Sequence, residues 1–171
     1  GENATLRIAT TVESKPFDYL KDGQLYGLDM EFIFLFAKEY GYALEIDTMD
    51  FSAILPSLAT KGYDLAISSI TVTEERKESV DFSDTYCTSP IVMTVLGSNS
   101  NNHKKLLSDF ENATIGVLTG TVYDDYAKNL FPDAERKYFN LLSDMILAVG
   151  SGKIDGFIAE NTYVSSDLWE G

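Results

Sequence analysis

The residues best suited to chemistry lie together in one stretch, ISSITVTEERKESVDFSD, residues 67–84. An apolar run ends at Ile67, Ser68, Ser69 and Thr71 follow, Thr73 stands where a helix N-cap belongs, and Glu74, Glu75 and Arg76 fill the first turn. Small hydroxyls at the carboxyl end of a buried strand, beside a helix N-terminus, present free backbone N–H groups and a positive dipole end. Arg76 is the informative residue. A cation in the first turn opposes the helix dipole at a cost of about 0.3–1 kcal/mol, so stability alone would place an acid there. Its planar guanidinium can hold a carboxylate through two parallel hydrogen bonds. Ser69, Thr71 and Arg76 together have the make-up of a carboxylate receptor. From spacing alone a plainer alternative is the readier one, namely that Arg76 pairs with Glu74, Glu75 or Glu78 on a solvated face.

Other chemistries find few residues to work with. The sequence lacks a phosphate-binding G-x-x-x-x-G-K-[ST] loop, a G-x-G-x-x-G turn, an H-E-x-x-H pair and a G-x-S-x-G elbow. A single His103 in a polar stretch and a single Cys87 make a nucleophilic triad hard to assemble. Neither a disulfide framework nor a Cys-rich zinc site can form, and no metal or other cofactor is expected. Cys87 reads as a small half-buried hydrophobe. Carboxylate-pair catalysis stays open, because 27 acids offer many pairs. Against these stand 13 Lys and Arg, for a net charge of −14, which argues against nucleic acid and anionic membrane surfaces as partners. N-x-T sequons at Asn3 and Asn112 matter only in a glycosylating host. The longest apolar run, Phe32 to Ala37, is far short of the roughly 20 residues of a membrane span. It reads as a buried helix face. The opening Gly1-Glu2-Asn3 does not read as a signal peptide.

The elements around the polar stretch alternate. Leu6, Ile8 and Ala9 read as a buried strand, and Pro16 and Gly23 punctuate the loop and turn after it. Asp29 can cap a helix from Met30 to Tyr40, with Gly41 just past its end. Ile33, Phe36, Ala37 and Tyr40 keep helical spacing. A strand with Tyr42, Leu44 and Ile46 follows, then a short helix capped by Asp50 or Ser52, then a strand over residues 64–67. The pattern recurs with a strand at 91–96, a polar loop at 97–105, a strand at 115–118, a helix at 122–129, a short strand at Tyr138-Phe139, a helix capped by Ser143 and a strand at 156–159. Strands separated by helices, with no hairpin signal, imply βαβ units and a largely parallel sheet. The segments DFSAILPSLATKGYDLAIS and LSDMILAVGSGKIDGFIAE share one grammar of cap, helix, Gly, Asp and strand, which suggests two lobes of similar construction.

The stretch SSITVTEERKESVDFSDTY resembles the signature of family 3 extracellular solute-binding proteins, the periplasmic receptors for polar amino acids. KPFDYLKDGQLYGLDMEFIFLFAKEYG, MDFSAILPSLATKGYDLAIS, TIGVLTGTVYDDYAKN and GKIDGFIAEN resemble further family segments in the same order along nearly the whole chain. The resemblance implies an α/β, two-lobe fold of the type II periplasmic-binding-protein kind, with lobe one over residues 1–88 and lobe two over residues 89–171. It implies that Arg76 clamps the α-carboxylate of an amino acid, helped by Thr71 and Thr121. By the same resemblance Ser69, through its carbonyl, and Glu160 receive the α-ammonium, Phe51 packs on the ligand side chain, and Ser68 makes a polar contact near the entrance. The plainer roles stay open: Phe51 as a core staple, Thr121 as a helix start, Glu160 as a cap for a helix near Asn161.

Several departures accompany the resemblance. Ser14 stands where the family usually has an aromatic, so one stacking wall of the pocket is either missing or supplied elsewhere, by Tyr19 or Tyr26. The Asp of basic-amino-acid receptors is absent near Thr11, where Glu13 is the nearest acid. Glu160 stands where Asp is common. The family fold also continues past Gly171, so the chain is expected to be a trimmed piece, a segment-swapped dimer or part of a longer receptor. The implied place is periplasmic or extracellular, and the implied partners are a membrane permease of an ABC transporter or a membrane-anchored signalling protein. Two other functions stay open: a cyclohexadienyl dehydratase-like enzyme with Glu160 as its acid, and a ligand-free lobe working through protein contacts.

Overall fold

The structure, a computed structural model, describes residues 4–97 and 106–164. The chain divides into two compact units, Gly1–Thr88 and Ser89–Gly171. His103 and Asn3 lie outside the described residues, as does most of the expected loop at 97–105.

The first unit is built on a three-stranded parallel sheet. Strand β1 (Thr5–Thr10) lies in its centre, between β5 (Ala43–Thr48) and β6 (Leu65–Ala66). The register sets Ile8 beside Ile46 on one side and Leu65 on the other. Helix α1 (Leu28–Tyr40) lays Met30 and Ile33 against Ile8 and Ile67, and Leu6, Leu44 and Ile46 pack round them. Gly41, in the left-handed region at φ 74°, ends the helix by donating its N–H to the Ala37 carbonyl. Helix α2 (Phe51–Ala59) follows Asp50, and α3 (Glu74–Lys77) is a single turn.

Four expectations for this unit are corrected. A hairpin sheet stands between β1 and α1: β2 (Glu13–Ser14), β3 (Asp18–Lys21) and β4 (Gln24–Tyr26) pair antiparallel. Its two-residue turn is Asp22-Gly23, both at positive φ (52° and 75°), the backbone that Asp-Gly favours between twisted strands. Asp29 is not the N-cap of α1. Gly27 holds that place at φ 124°, and a Cβ there would meet the Phe17 carbonyl oxygen at 2.0 Å. The first free amides, those of Leu28 and Asp29, donate to the carbonyls of Pro16 and Phe17, so no capping side chain is needed. Nor is the run Phe32 to Ala37 a buried face: Ile33 and Ala37 are buried, whereas Phe32 is 50% and Leu35 67% exposed, because consecutive helical residues point all round the axis. Cys87 is exposed, in a segment outside regular structure.

The second unit has a four-stranded sheet in the order β7 (Ile91–Thr94), β10 (Gly156–Glu160), β8 (Thr114–Leu118), β9 (Glu135–Phe139). Only β7 runs antiparallel to its neighbour. Helices α4 (Tyr123–Leu130) and α5 (Leu142–Gly150) bury Tyr123, Ala127, Met145 and Val149 in a core with Ile115, Val117 and Phe157. Gly116 is required by that packing, since a Cβ would lie 2.7 Å from Ile154 Cδ1. Ser143 lies inside α5, whose N-cap is Leu141, so the expected serine cap is not formed.

The two segments that share a grammar also share a bonding device. Asp64 Oδ2 accepts the Arg7 N–H at 2.8 Å while its own N–H donates to the Arg7 carbonyl at 2.9 Å. Asp155 Oδ2 accepts the Thr114 N–H at 2.8 Å while its own N–H donates to the Thr114 carbonyl at 2.8 Å. Each aspartate thus locks the start of the last strand of its unit onto the first residues of a central strand. Five residues on from these aspartates stand Ser69 and Glu160, at matching stations past or at the strand end.

Candidate functional site

In the first unit the polar stretch folds as a tight corner. Beyond β6, Ile67 still donates its N–H to the Ala9 carbonyl, and the chain then turns at Ser69, whose φ of 43° is unusual for a non-glycine residue. Thr73 caps α3, its Oγ1 accepting the Arg76 N–H at 3.1 Å. Arg76 is half-buried and folds back over the corner: Nη1 donates to the Thr71 carbonyl at 2.6 Å, and the guanidinium lies 5.9 Å from the centre of the Phe51 ring. A guanidinium carries five N–H donors, and the bond to the Thr71 carbonyl orients the group toward its own loop. Glu74 pairs instead with Lys77 at 2.7 Å. Phe51 is the first residue of α2 and half-buried. Arg76, Thr71 and Phe51 are therefore gathered at one place, with Ser69 and Ser68 on the same corner.

Beside the corner lies a buried hydroxyl and carboxylate cluster. Thr11 Oγ1 donates to Asp18 Oδ1 at 2.5 Å and is 3.0 Å from Ser68 Oγ and 3.1 Å from Ser14 Oγ. A threonine hydroxyl has one proton. Once Thr11 gives it to Asp18, the two serines must donate to Thr11. Asp18 is fully buried, and its Oδ2 has no hydrogen-bond partner among the described residues. Burial raises its pKa above the usual 3.8, opposed by the hydroxyls of Thr11, Ser68 and Ser14. Tyr19 and Tyr26, the two candidates for an aromatic wall, stack on each other with centroids 6.2 Å apart on the hairpin sheet.

A second buried acid is Asp29. Its Oδ2 accepts the Ser69 N–H at 2.7 Å and its Oδ1 accepts the Tyr86 hydroxyl at 2.9 Å. Burial pushes its pKa up to about 6, against the pull of the bonds from Ser69 and Tyr86, and the charge of Asp18 adds to the rise. Sequence reasoning missed both acids. The readable signals were an Asp between Phe17 and Tyr19, and an Asp sharing the helix face of Ile33 and Ala37 at spacings of four and eight.

In the second unit Thr121 sits in the turn before α4, after Gly120 at φ 81°. Its hydroxyl donates to the Leu118 carbonyl at 2.7 Å, so it shapes the turn. Glu160 ends β10, half-buried and opposite Ile91, and a 3-10 turn over Asn161–Val164 follows it.

Residues 6–131 match the model of the bacterial extracellular solute-binding proteins, family 3. The chain belongs to this family. The arginine-binding extracellular protein ArtP of Bacillus subtilis is 32% identical to this solute-binding chain over 97% of the chain and 67% of ArtP. The solved substrate-binding protein of an amino acid ABC transporter superposes with a TM-score of 0.90 at 31% identity, covering 98% of this chain and 75% of that one. The ancestral amino acid-binding protein AncCDT-1, a precursor of cyclohexadienyl dehydratase, gives a TM-score of 0.88 at 30% identity over 95% and 72% of the two chains. The chain spans about two thirds of the length of the curated relatives it matches. The fold is the two-lobe α/β fold of the periplasmic amino-acid-binding proteins, and the chain is the solute-binding kind of protein, acting in the periplasm or outside the cell.

Proposed function

We propose that this chain binds a free polar amino acid and passes it on unchanged, as the binding component of an ABC transporter whose membrane permease recognises the loaded form. The observation that carries the reading is the setting of Arg76, which rests on the Thr71 carbonyl and the Phe51 ring beside the capped start of α3. In the first unit Arg76 and Thr71 take the α-carboxylate, the Ser69 carbonyl takes the α-ammonium, and Phe51 meets the side chain; Ser68 is not the entrance contact expected of it, being fully buried against the Thr11 hydroxyl, and supports the corner from behind. In the second unit Glu160, at the station matching Ser69, is the anionic partner of the α-ammonium, and the Thr121 turn adds a donor for the carboxylate. The relatives support the ligand class, being named for arginine, histidine or cystine binding.

Calorimetric titration against the twenty amino acids tests the reading, with a single-site heat expected for at least one. A well-folded sample silent to all twenty would refute it. Arg76→Ala is expected to weaken binding by at least a hundredfold, since a charged bidentate contact to a desolvated carboxylate is lost. The likeness to AncCDT-1 motivates one further assay, incubation with prephenate or arogenate. Release of product would assign Glu160 the part of a general acid.

A further inference from the structure

Asp29 has no local duty in its own helix. The amides that a first-turn acid might satisfy already donate to the carbonyls of Pro16 and Phe17. Its two oxygens reach instead to Ser69 and Tyr86, 40 and 57 residues away in sequence. Ser69 is held at φ 43°, a backbone state that a residue with a Cβ keeps only when its surroundings impose it. Tyr86 is gripped twice from α1, through its hydroxyl by Asp29 and through its ring by Phe32, at 5.8 Å between centroids and 19° between planes. One carboxylate thus joins the corner of the candidate site to the segment that ends the first unit at Thr88.

We infer that Asp29 is a positioning residue of the binding site: in its ionised form it fixes the Ser69 corner and the Tyr86 segment together, and amino-acid affinity depends on that charge. The inference rests on the proposed function. Its physical basis is hydrogen-bond polarity. A carboxylate accepts at both oxygens, and both bonds are strengthened by its charge. On protonation one oxygen carries an O–H, which faces either the Ser69 N–H or the Tyr86 hydroxyl. The Ser69 side of the site has no alternative acceptor role to offer, because an amide only donates. The groups acting on Asp29 are the Asp18 carboxylate of β3, the Tyr86 phenol and the Ser69 amide. Burial and Asp18 both favour the neutral form, which moves the switch from the ordinary carboxylate range to mildly acidic pH.

The test compares the full chain with Asp29→Asn, which keeps shape and removes charge, and with Tyr86→Phe, which removes one bond only. L-arginine, L-histidine and L-glutamine are titrated calorimetrically at pH 7.5 and 5.0, and the Ser69 amide is followed in a nitrogen–proton correlation spectrum across the same range. Asp29→Asn is expected to bind roughly tenfold more weakly than the parent at pH 7.5 and about equally at pH 5.0, the difference between a charge-assisted and a neutral bond. Tyr86→Phe should fall between the two. The Ser69 amide should titrate in the parent and stay fixed in Asp29→Asn. An affinity ratio of parent to Asp29→Asn that is the same at both pH values, whether one or tenfold, would overturn the inference, since a purely structural acid leaves that ratio constant. If no amino acid binds the parent, the proposed function fails. The Ser69 amide then decides the positioning by itself, a pH-dependent shift upholding it and a flat trace overturning it.

Discussion

Replacing Asp29 with Asn should change how the stability of the chain depends on pH, and the sign follows from the direction of its pKa. In the unfolded chain the carboxyl titrates near 3.8, and in the folded chain near 6. Between those values the folded state binds the extra proton, so stability falls as pH rises through the window. The favourable contribution is fully present below about pH 4 and lost above about pH 6. A shift of about two pH units, at about 1.4 kcal/mol each, amounts to about 3 kcal/mol. Full burial of the residue, with both oxygens engaged, means that solvent screening takes little from this figure. Urea unfolding of parent and Asp29→Asn at half-unit steps from pH 3.5 to 7.5 reads it out. The acids remote from position 29 titrate alike in both proteins and cancel in the difference; Asp18, whose charge acts on Asp29, is removed from the comparison by making both proteins in an Asp18→Asn background. Parent minus variant should decline by about 3 kcal/mol across the window and be level above it, with m-values unchanged. Parallel curves would refute the assignment of a raised pKa to Asp29. Affinity is expected to move the opposite way, improving as pH rises, so the site is held in its binding shape by a charge that weakens the fold.

Other perturbations have expected outcomes of their own. Arg76→Lys should keep the positive charge and still lose at least tenfold in affinity by calorimetry, because an ammonium cannot fork to a carboxylate; retention of full affinity would exclude a bidentate contact. Thr73→Ala removes the oxygen that accepts the Arg76 N–H and should cost about 1 kcal/mol of stability in urea unfolding while also weakening binding. Gly27→Ala forces a Cβ to 2.0 Å from the Phe17 carbonyl oxygen at φ 124°, and a loss of at least about 2 kcal/mol is expected by thermal unfolding. Ile115→Ala, at a fully buried position of the second unit, should cost about 2–5 kcal/mol, measurable by the same unfolding curves.

Periodicity and turn chemistry were enough to read the alternation of parallel strands and helices, though not the β2-β3-β4 hairpin sheet, because burying one face of each element forces apolar residues into helical or alternating spacing. Of the expected face of α1, Ile33 and Ala37 are buried, Phe36 is half-buried and Tyr40 is exposed at the helix end; Gly41 marks that end and Thr73 the start of α3. The polar corner at Ser69, Thr71 and Arg76 was legible for a related reason, an arginine placed where the dipole disfavours it. The Asp22-Gly23 hairpin is also written in the sequence, as two adjacent residues suited to positive φ, but its flanking strands are too short to show an alternation that separates them from a loop. What only the tertiary structure decided concerns partners far apart in the chain. Asp29 reads as a cap until the carbonyls of Pro16 and Phe17 are seen to occupy the cap's place, which sends its carboxylate to Ser69 and Tyr86. Asp18 is an unremarkable acid in a hairpin until Thr11 and Ser68, brought up by neighbouring parallel strands, close over it. Local patterns record which face of an element is buried; the fate of a polar group within that face depends on which distant donors the fold brings to it.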